Sequence, residues 1–593
     1  MPPAAGVQAS RRVPGPLQVA MESLSALISL VRRRLAAEWA ALPLYRILFL
    51  DRPAATFLAF TPRDFRPVAV AQGRALLEGR LSLAGTESEI GVHGDPWDRP
   101  SPSRRFAVAL HQFSWLPGLL AAGPAGEREA LRLFVTWRAE FERPAPFVWG
   151  SETLERRTFH LACGAHRMAP HASDAEARLL AVMLARHTRR LADITGPDIR
   201  RAERLTVACI GAGALADPVG GALLRRLLPR LARWLDRGVG RDGGIASRSP
   251  QQGLELLYDL LTLDDLLTQR GLPPPAELSR ALEALTTTTA FLRLRDGRLA
   301  SFQGGSAVDA NTVDGALVQF DPASGPAAET SRGGFHRIAS RRIEVLVDGA
   351  PAAEGAFSLS ACDQPLALEV VCDGVRVITG CGWTPSGPLP DPLRRIAGGS
   401  TAALGPGSPG RVLTGLRRAG LGARLVPGTR TVSVQRTVTD EGSWLELQHD
   451  GWLATPGLTH VRRLFLDHTT TELRGEDAFL PGRDRRRPEI VPYAIRFHLA
   501  PGVQVSLARD DRSVLIRGAA DQGWWLRNDA QDVTLEPTLV CLDGQPRRST
   551  QVLLRGAVPS TAEGVRVRWK LTPVDPATET VRRRGKAPGG TPA

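Results

Sequence analysis

At 593 residues the chain exceeds the size at which a single hydrophobic core stops growing, so two or more domains are expected. Hydrophobic residues at 43% and charged residues at 23% exclude a wholly disordered chain and an all-membrane one. The formal charge of +14 invites an acidic partner, although only Lys570 and Lys586 of the 75 basic residues are lysine. Arginine in place of lysine, beside abundant Ala, Gly and Pro, reads first as a GC-rich coding bias. The planar guanidinium still grips carboxylate or sulfate with two hydrogen bonds.

The opening MPPAAGVQASRRVPGPLQ is polar and Pro-rich, without the apolar core of a secretion signal. ESLSALISLVRRRLAAEWAALPLYRILFLDR follows, and Arg32, Arg33 and Arg34 break its apolar runs. It falls short of the roughly 18 unbroken apolar residues of a membrane span. Residues 17–50 read instead as a basic amphipathic segment suited to peripheral contact with a membrane surface. The first 100 residues are read as that helix and a linker.

Residues 101–300 carry a helical period. Candidate helices are RRFAVALHQFSWLPGLL, EREALRLFVTWRAEF, DAEARLLAVMLARHTRRLADI, DIRRAERLTVACIGAGALA, GALLRRLLPRLARWLDR, QQGLELLYDLLTLDDLLTQ and AELSRALEALTTTTAFLRL. Ser173 before Asp174 and Glu176 reads as a helix N-cap with acids in the first turn. The PPP at 273–275 closes one helix and opens the next. Residues 301–335 are a linker. From 336 to 575 the period becomes two, in RRIEVLVDGAP, LALEVVCDGVRVITG, TRTVSVQRTVTD, SWLELQHDGW and HVRRLFLDHTTTEL among others, punctuated by DG and PG turns. Residues 576–593 form a polar Gly/Pro-rich tail expected to be disordered. The fold class is therefore multidomain, α then β, with an antiparallel β-sandwich last.

Local motifs for chemistry are sparse. Neither DGGIASRSP nor GAGALADPVGG has phosphate-loop spacing, and no GxSxG elbow or HExxH helix occurs. The six cysteines (163, 209, 362, 372, 381 and 541) form no CxxC pair and read as buried free thiols. No metal site and no cofactor is expected, and no nucleic-acid module is recognisable.

The order of ALHQFSWLPGL, DGGIASRSP, GGFHRI, LALEVVCDGVRVITGCG, RRIAGGST, LELQHDGW, GLTHVRRLFL, LRGEDAFLP and RFHLAPGV resembles that of bacterial heparinase II/III family proteins, over residues 43 to 572. The resemblance implies an incomplete (α/α) toroid before the sandwich, and β-elimination on a uronate-containing acidic polysaccharide. Such chemistry needs a donor to neutralise the carboxylate, a base to take the adjacent proton, and an acid for the leaving oxygen. The family supplies Asn or His and a Tyr from the toroid and a His from the sandwich, and some members hold a structural zinc there.

This chain departs from that pattern. Where relatives read something like DGGHFERSPMYH it has DGGIASRSPQQG, so Ile245 replaces a His, Gln252 falls on the Tyr and Gly253 on a second His. Cys362 and Gly399 stand in sandwich histidine positions, Ala500 replaces another, and the toroid Asn would fall near Arg200 and Arg201. Tyr258 and His449 are the candidate displaced catalytic groups, each with a structural role as its plainer reading. Arg248, Arg462 and Arg463 are candidates for substrate carboxylates. Trp234, at helical spacing, reads first as core. Two functions stay open: a lyase with a rearranged base, or a catalytically silent protein that binds glycan or assists envelope-polysaccharide assembly. The family suggests the cell envelope or periplasm, and the missing signal leaves the cytoplasm open.

Overall fold

A computed structural model of the chain describes residues 16–50, 57–194, 200–318, 330–482, 490–518, 522–559 and 564–574. Its helices are α1 (Pro16–Ala41), α2 (Pro43–Tyr45), α3 (Val70–Leu77), α4 (Arg104–His111), α5 (Leu116–Ala121), α6 (Pro124–Phe141), α7 (Ser151–Met168), α8 (Asp174–Asp193), α9 (Arg201–Ala214), α10 (Val219–Gly238), α11 (Pro250–Gln269), α12 (Ala276–Leu292), α13 (Ala310–Leu317) and α14 (Gly415–Leu421). Helices α4 to α12 build the toroid, with α7, α8, α9 and α10 packing in succession and α11 against both α9 and α12.

Local chemistry sets the helix starts. The Ser173 hydroxyl accepts from the Glu176 N–H while the Glu176 carboxylate accepts from the Ser173 N–H, closing a capping box on α8. Ser249 caps α11, with Pro250 at its first position. The run expected as one helix over 104–120 is broken between α4 and α5, where Phe113 takes φ +60.

Helix α7 was not among the expected helices. Thr153, Glu155, Arg157 and Thr158 are all buried in it, so its inward face does not read as apolar. The Arg157 guanidinium lies 4.6 Å from the Trp137 ring centroid and donates to the His111 carbonyl at 3.0 Å, and burial pushes its pKa down to about 9.

The C-terminal half is a sandwich of a nine-stranded and an eight-stranded sheet. The eight-stranded sheet runs in space Val432–Val438, Gly442–His449, Leu458–Asp467, Leu473–Pro481, Val565–Pro573, Gly523–Asn528, Val514–Arg517 and Gln504–Leu507. The nine-stranded sheet is centred on Ile490–Leu499, which pairs with Gln545–Pro559 on one side and Val375–Thr379 and Ala402–Leu404 on the other. Alternate residues such as Leu445, Leu464, Leu473 and Leu571 from one sheet, and Val345, Val370, Ile495 and Val552 from the other, share one core.

The toroid core does not stop at the domain boundary, because Phe335, Leu346, Ala367 and Val371 of the sandwich belong to it. The segments read as linkers hold structure of their own. The first 100 residues include α3 and a hairpin (Arg80–Leu83 with Thr86–Glu89), and residues 301–335 include α13. The expected tail 576–593 lies outside the described residues. Helix α1 crosses α14, where a Cβ on Gly420 would lie 2.3 Å from the Ala26 carbonyl oxygen, and Glu22 pairs with Arg417 at 3.1 Å. Its remaining face exposes Met21, Leu24, Ile28, Val31 and Leu35. Among the described residues no helix is long and apolar enough to cross a membrane.

Candidate functional site: an arginine pocket beside a closed cleft

The loop Asp242–Ser249 leads from α10 to α11 and meets the sandwich where Gly244 lies against Gly333, so close that a Cβ on Gly244 would sit 2.9 Å from the Gly333 Cα. The space between Ile245, Gly253, Thr289, Gly333 and Phe335 is about 20 Å³. That is room for about one water and not for a sugar ring. Gln252 stands in the first turn of α11 and its N–H donates to the Ser249 hydroxyl. At Gly399 a Cβ would lie 2.9 Å from the Gln364 side chain, whose amide donates to the Leu393 and Arg395 carbonyls at 3.0 and 3.1 Å. Cys362 is buried with its thiol pushed up to about 12 by that burial, and its N–H donates to Gln303. Ala500 is buried as well.

The candidate proton-transfer groups are also enclosed. Tyr258 donates to the Thr312 carbonyl at 2.5 Å beneath the Arg66 guanidinium, and burial raises its hydroxyl to about 12. His449 sits in a fully buried chain. Its Nδ1 accepts from the Gly451 N–H, which leaves Nε2–H to donate to His460 Nδ1 at 3.1 Å. His460 Nε2 then reaches Asp477 at 2.7 Å, and Arg462 and the Trp569 indole close on the same carboxylate. Burial holds both imidazoles below their usual pKa, that of His449 well below. With their ring nitrogens committed in this way, the two histidines do not fit as the ligands of a sandwich zinc. Among the described residues no group of three or more His, Cys, Asp or Glu has a geometry that could hold a metal.

The three arginines expected to meet substrate are not brought together, and two are corrected to structural roles. Arg248 pairs with Asp348 at 2.5 Å, donates to the Ala350 and Pro351 carbonyls, and stacks over Phe335. It fastens toroid to sandwich. Arg462 is consumed inside the sandwich by Asp477. Arg463 lies on the outer face of the eight-stranded sheet between Glu446 and Glu476. A buried guanidinium whose donors are satisfied has nothing left for a ligand carboxylate.

A different cluster carries unneutralised charge. Arg201 at the start of α9 and Arg230, Arg233, Trp234 and Arg237 on α10 line a pocket of about 150 Å³. The Arg201 guanidinium lies 5.2 Å from the Trp234 ring centroid. Among the described residues no carboxylate pairs with any of these four arginines. Burial, then the neighbouring Arg226 and Arg201, push Arg230 below its usual pKa, as a crowd of like charges requires. Just behind Arg201, Arg200 bridges Glu155 at 2.7 Å and Glu255 at 3.5 Å. Glu203, buried one turn into α9, is raised to about 8 by its burial, against the pull of Arg200. The pocket lies one to two turns before the loop that touches Gly333. Sequence reading missed it because Trp234 looked like core, and because Arg201 drew notice only where an Asn was absent. The arginines at 230, 233 and 237 were its signal, spaced three and four apart on one helix face.

The comparisons agree with this architecture. The family model described as "Heparinase II/III-like, C-terminal" matches residues 322–570. "FtsZ-localized protein C" of Caulobacter vibrioides is 45% identical over 545 residues, covering 90% of this chain and 93% of that protein. The crystal structure of heparinase III superposes with a TM-score of 0.67 at 12% identity, covering 96% of this chain and 93% of that one. Heparan sulfate lyase HepC of Pedobacter heparinus gives 0.53 at 12% identity, over 90% and 87%. At those identities the solved structures share the fold alone. Toroid, sandwich, the C-terminal match and the full-length relative together place the chain: it belongs to the heparinase II/III-like family.

Proposed function

We propose that this chain is a non-cleaving member of its family, which holds an acidic polysaccharide through the Arg201–Arg237 pocket and serves as an assembly partner at the cell envelope. The narrowness of the space beside Ile245 and Gly253 carries the reading. The segment aligned with the family's catalytic residues is packed against the sandwich with about 20 Å³ to spare, and neither Tyr258 nor His449 opens onto the arginine pocket. Arginine contacts to uronate or sulfate need no proton transfer, so binding outlasts the loss of chemistry.

The Caulobacter relative is named for where it localises and not for a reaction, which favours assembly over degradation. The exposed apolar side chains of α1 beside Arg32, Arg33 and Arg34 support a peripheral seat on an anionic membrane surface. Each missing general acid or base costs about 100- to 10,000-fold, so the rate should sit at background. Incubation with heparan, hyaluronan, chondroitin and alginate, followed by ultraviolet absorbance, should show no unsaturated uronate ends. Binding to at least one of them should weaken with salt and fall on Arg233→Ala with Arg237→Ala. Robust unsaturated product, lost on Tyr258→Phe or His449→Ala, would overturn the proposal in favour of a rearranged lyase.

A further inference from the structure

The outer face of the eight-stranded sheet is not a neutral polar surface. Strand register lines up two rows of side chains across it. In one row Glu446, Arg463, Glu476 and Arg568 stand opposite one another and neutralise each other at 2.5, 2.7 and 3.2 Å. The neighbouring row reads Trp444, Phe465, Arg474, Lys570 and Arg527 across five strands. Trp444 is 48% exposed, and its ring centroid lies 4.4 Å from that of Phe465. Arg474 and Lys570 share Glu472, at 3.2 and 3.0 Å. Arg527 is exposed and has no carboxylate partner among the described residues. The groove along this row has a volume of about 470 Å³.

We infer that this groove is a second binding surface for an anionic polysaccharide, laid across the strands from the Trp444–Phe465 platform to Arg527. The inference deepens the acidic-glycan reading and rests on it. Three observations select this occupant. The aromatic end offers ring faces on which a sugar's C–H face can stack, and the other end offers Arg474, Lys570 and Arg527 beside Asp467, Glu472 and Asp529, with Arg527 forming no ion pair among the described residues. Strands repeat every ~4.8 Å, close to one sugar ring, so successive side chains of the row meet successive sugars. An extended peptide fits worse, because the central strands are already paired on both edges and leave no main-chain groups for strand addition.

The test uses the full chain titrated with heparin and polygalacturonate oligosaccharides, with neutral dextran as control. Trp444→Ala with Arg527→Ala changes only exposed side chains. It should weaken binding about tenfold, while dextran binds neither protein. Near-ultraviolet circular dichroism of this variant should match the parent. Arg233→Ala with Arg237→Ala tests the toroid pocket separately. If only the sheet variant loses affinity, the groove stands and the pocket assignment falls. If only the pocket variant loses affinity, the groove inference is overturned. Equal displacement of heparin by poly-glutamate would also overturn it, in favour of an acidic peptide.

Discussion

Glu203 is the group most displaced toward neutral pH beside the arginine pocket. Its carboxyl is raised from 4.5 to about 8, by burial first, with Glu155 adding and Arg200 opposing. A raised folded pKa means the native state favours the proton. Its contribution to stability is complete below pH 4.5 and is lost as the pH rises through about 8. Glu203→Gln keeps the shape and cannot ionise, so denaturant melts should show the parent losing on the order of 4 kcal/mol relative to this variant between pH 5 and pH 9. Parallel curves for the two proteins would refute the assignment. Asp477 is the opposite case. Its carboxyl is held far below the usual range despite full burial, because Arg462 and His460 close on it. Asp477→Asn leaves the Arg462 cation buried without its counter-charge and should cost about 3–5 kcal/mol in a urea melt.

At the scale of elements, the loop Asp242–Ser249 and the first turn of α11 decide the chemistry. Their placement predicts that restoring the lost side chains does not restore the reaction. Gln252→Tyr combined with Gly399→His should yield no unsaturated product. The space between Ile245, Gly253 and Gly333 has room for about one water, and a histidine at 399 would meet the Gln364 side chain. Appearance of lyase activity in that variant would show that the cleft opens.

The same elements mark what was legible in the sequence. The period change near residue 300, the Ser173 cap and the PPP break all correspond to real boundaries, because each is a local signal. Helix α7 escaped notice because its buried Glu155 and Arg157 find Arg200 and the His111 carbonyl far along the chain, and a linear pattern does not contain partners. Arg248 and Arg462 looked like ligands for the same reason. A charged residue is readable in sequence, but Asp348, 100 residues away, and the carbonyls that consume Arg248 are not. The replaced positions Ile245, Gln252, Gly253, Cys362 and Gly399 were visible from motif order alone. That the space between Ile245, Gly253 and Gly333 has room for about one water was not.

At the scale of the whole molecule, toroid and sandwich share one core, and polar contacts cross their junction, among them Arg376 with Asp296 at 2.8 Å, Arg298 with Asp543 at 2.6 Å and a clamp built on Arg248. Arg248 holds a left-handed backbone at φ +59 and reaches Asp348, whose other carboxylate oxygen accepts from Gln303. Gln303 in turn accepts from the Cys362 N–H, so the clamp runs from the α11 approach into the sandwich position that lost its histidine. A shared apolar core makes separate melting of the halves unfavourable, since either half alone would expose Phe335 and Leu346 to water. The parent should therefore unfold in one calorimetric transition despite its two architectures. Arg248→Ala strands the Asp348 charge in a buried site and should lower stability by about 3–5 kcal/mol. Asp348→Asn strands the arginine instead and should cost a similar amount. The double variant should cost less than the sum, because a missing pair leaves no orphaned charge. Additive losses, or a sandwich transition that stays at the parent temperature while the toroid melts early, would show that the clamp does not couple the domains.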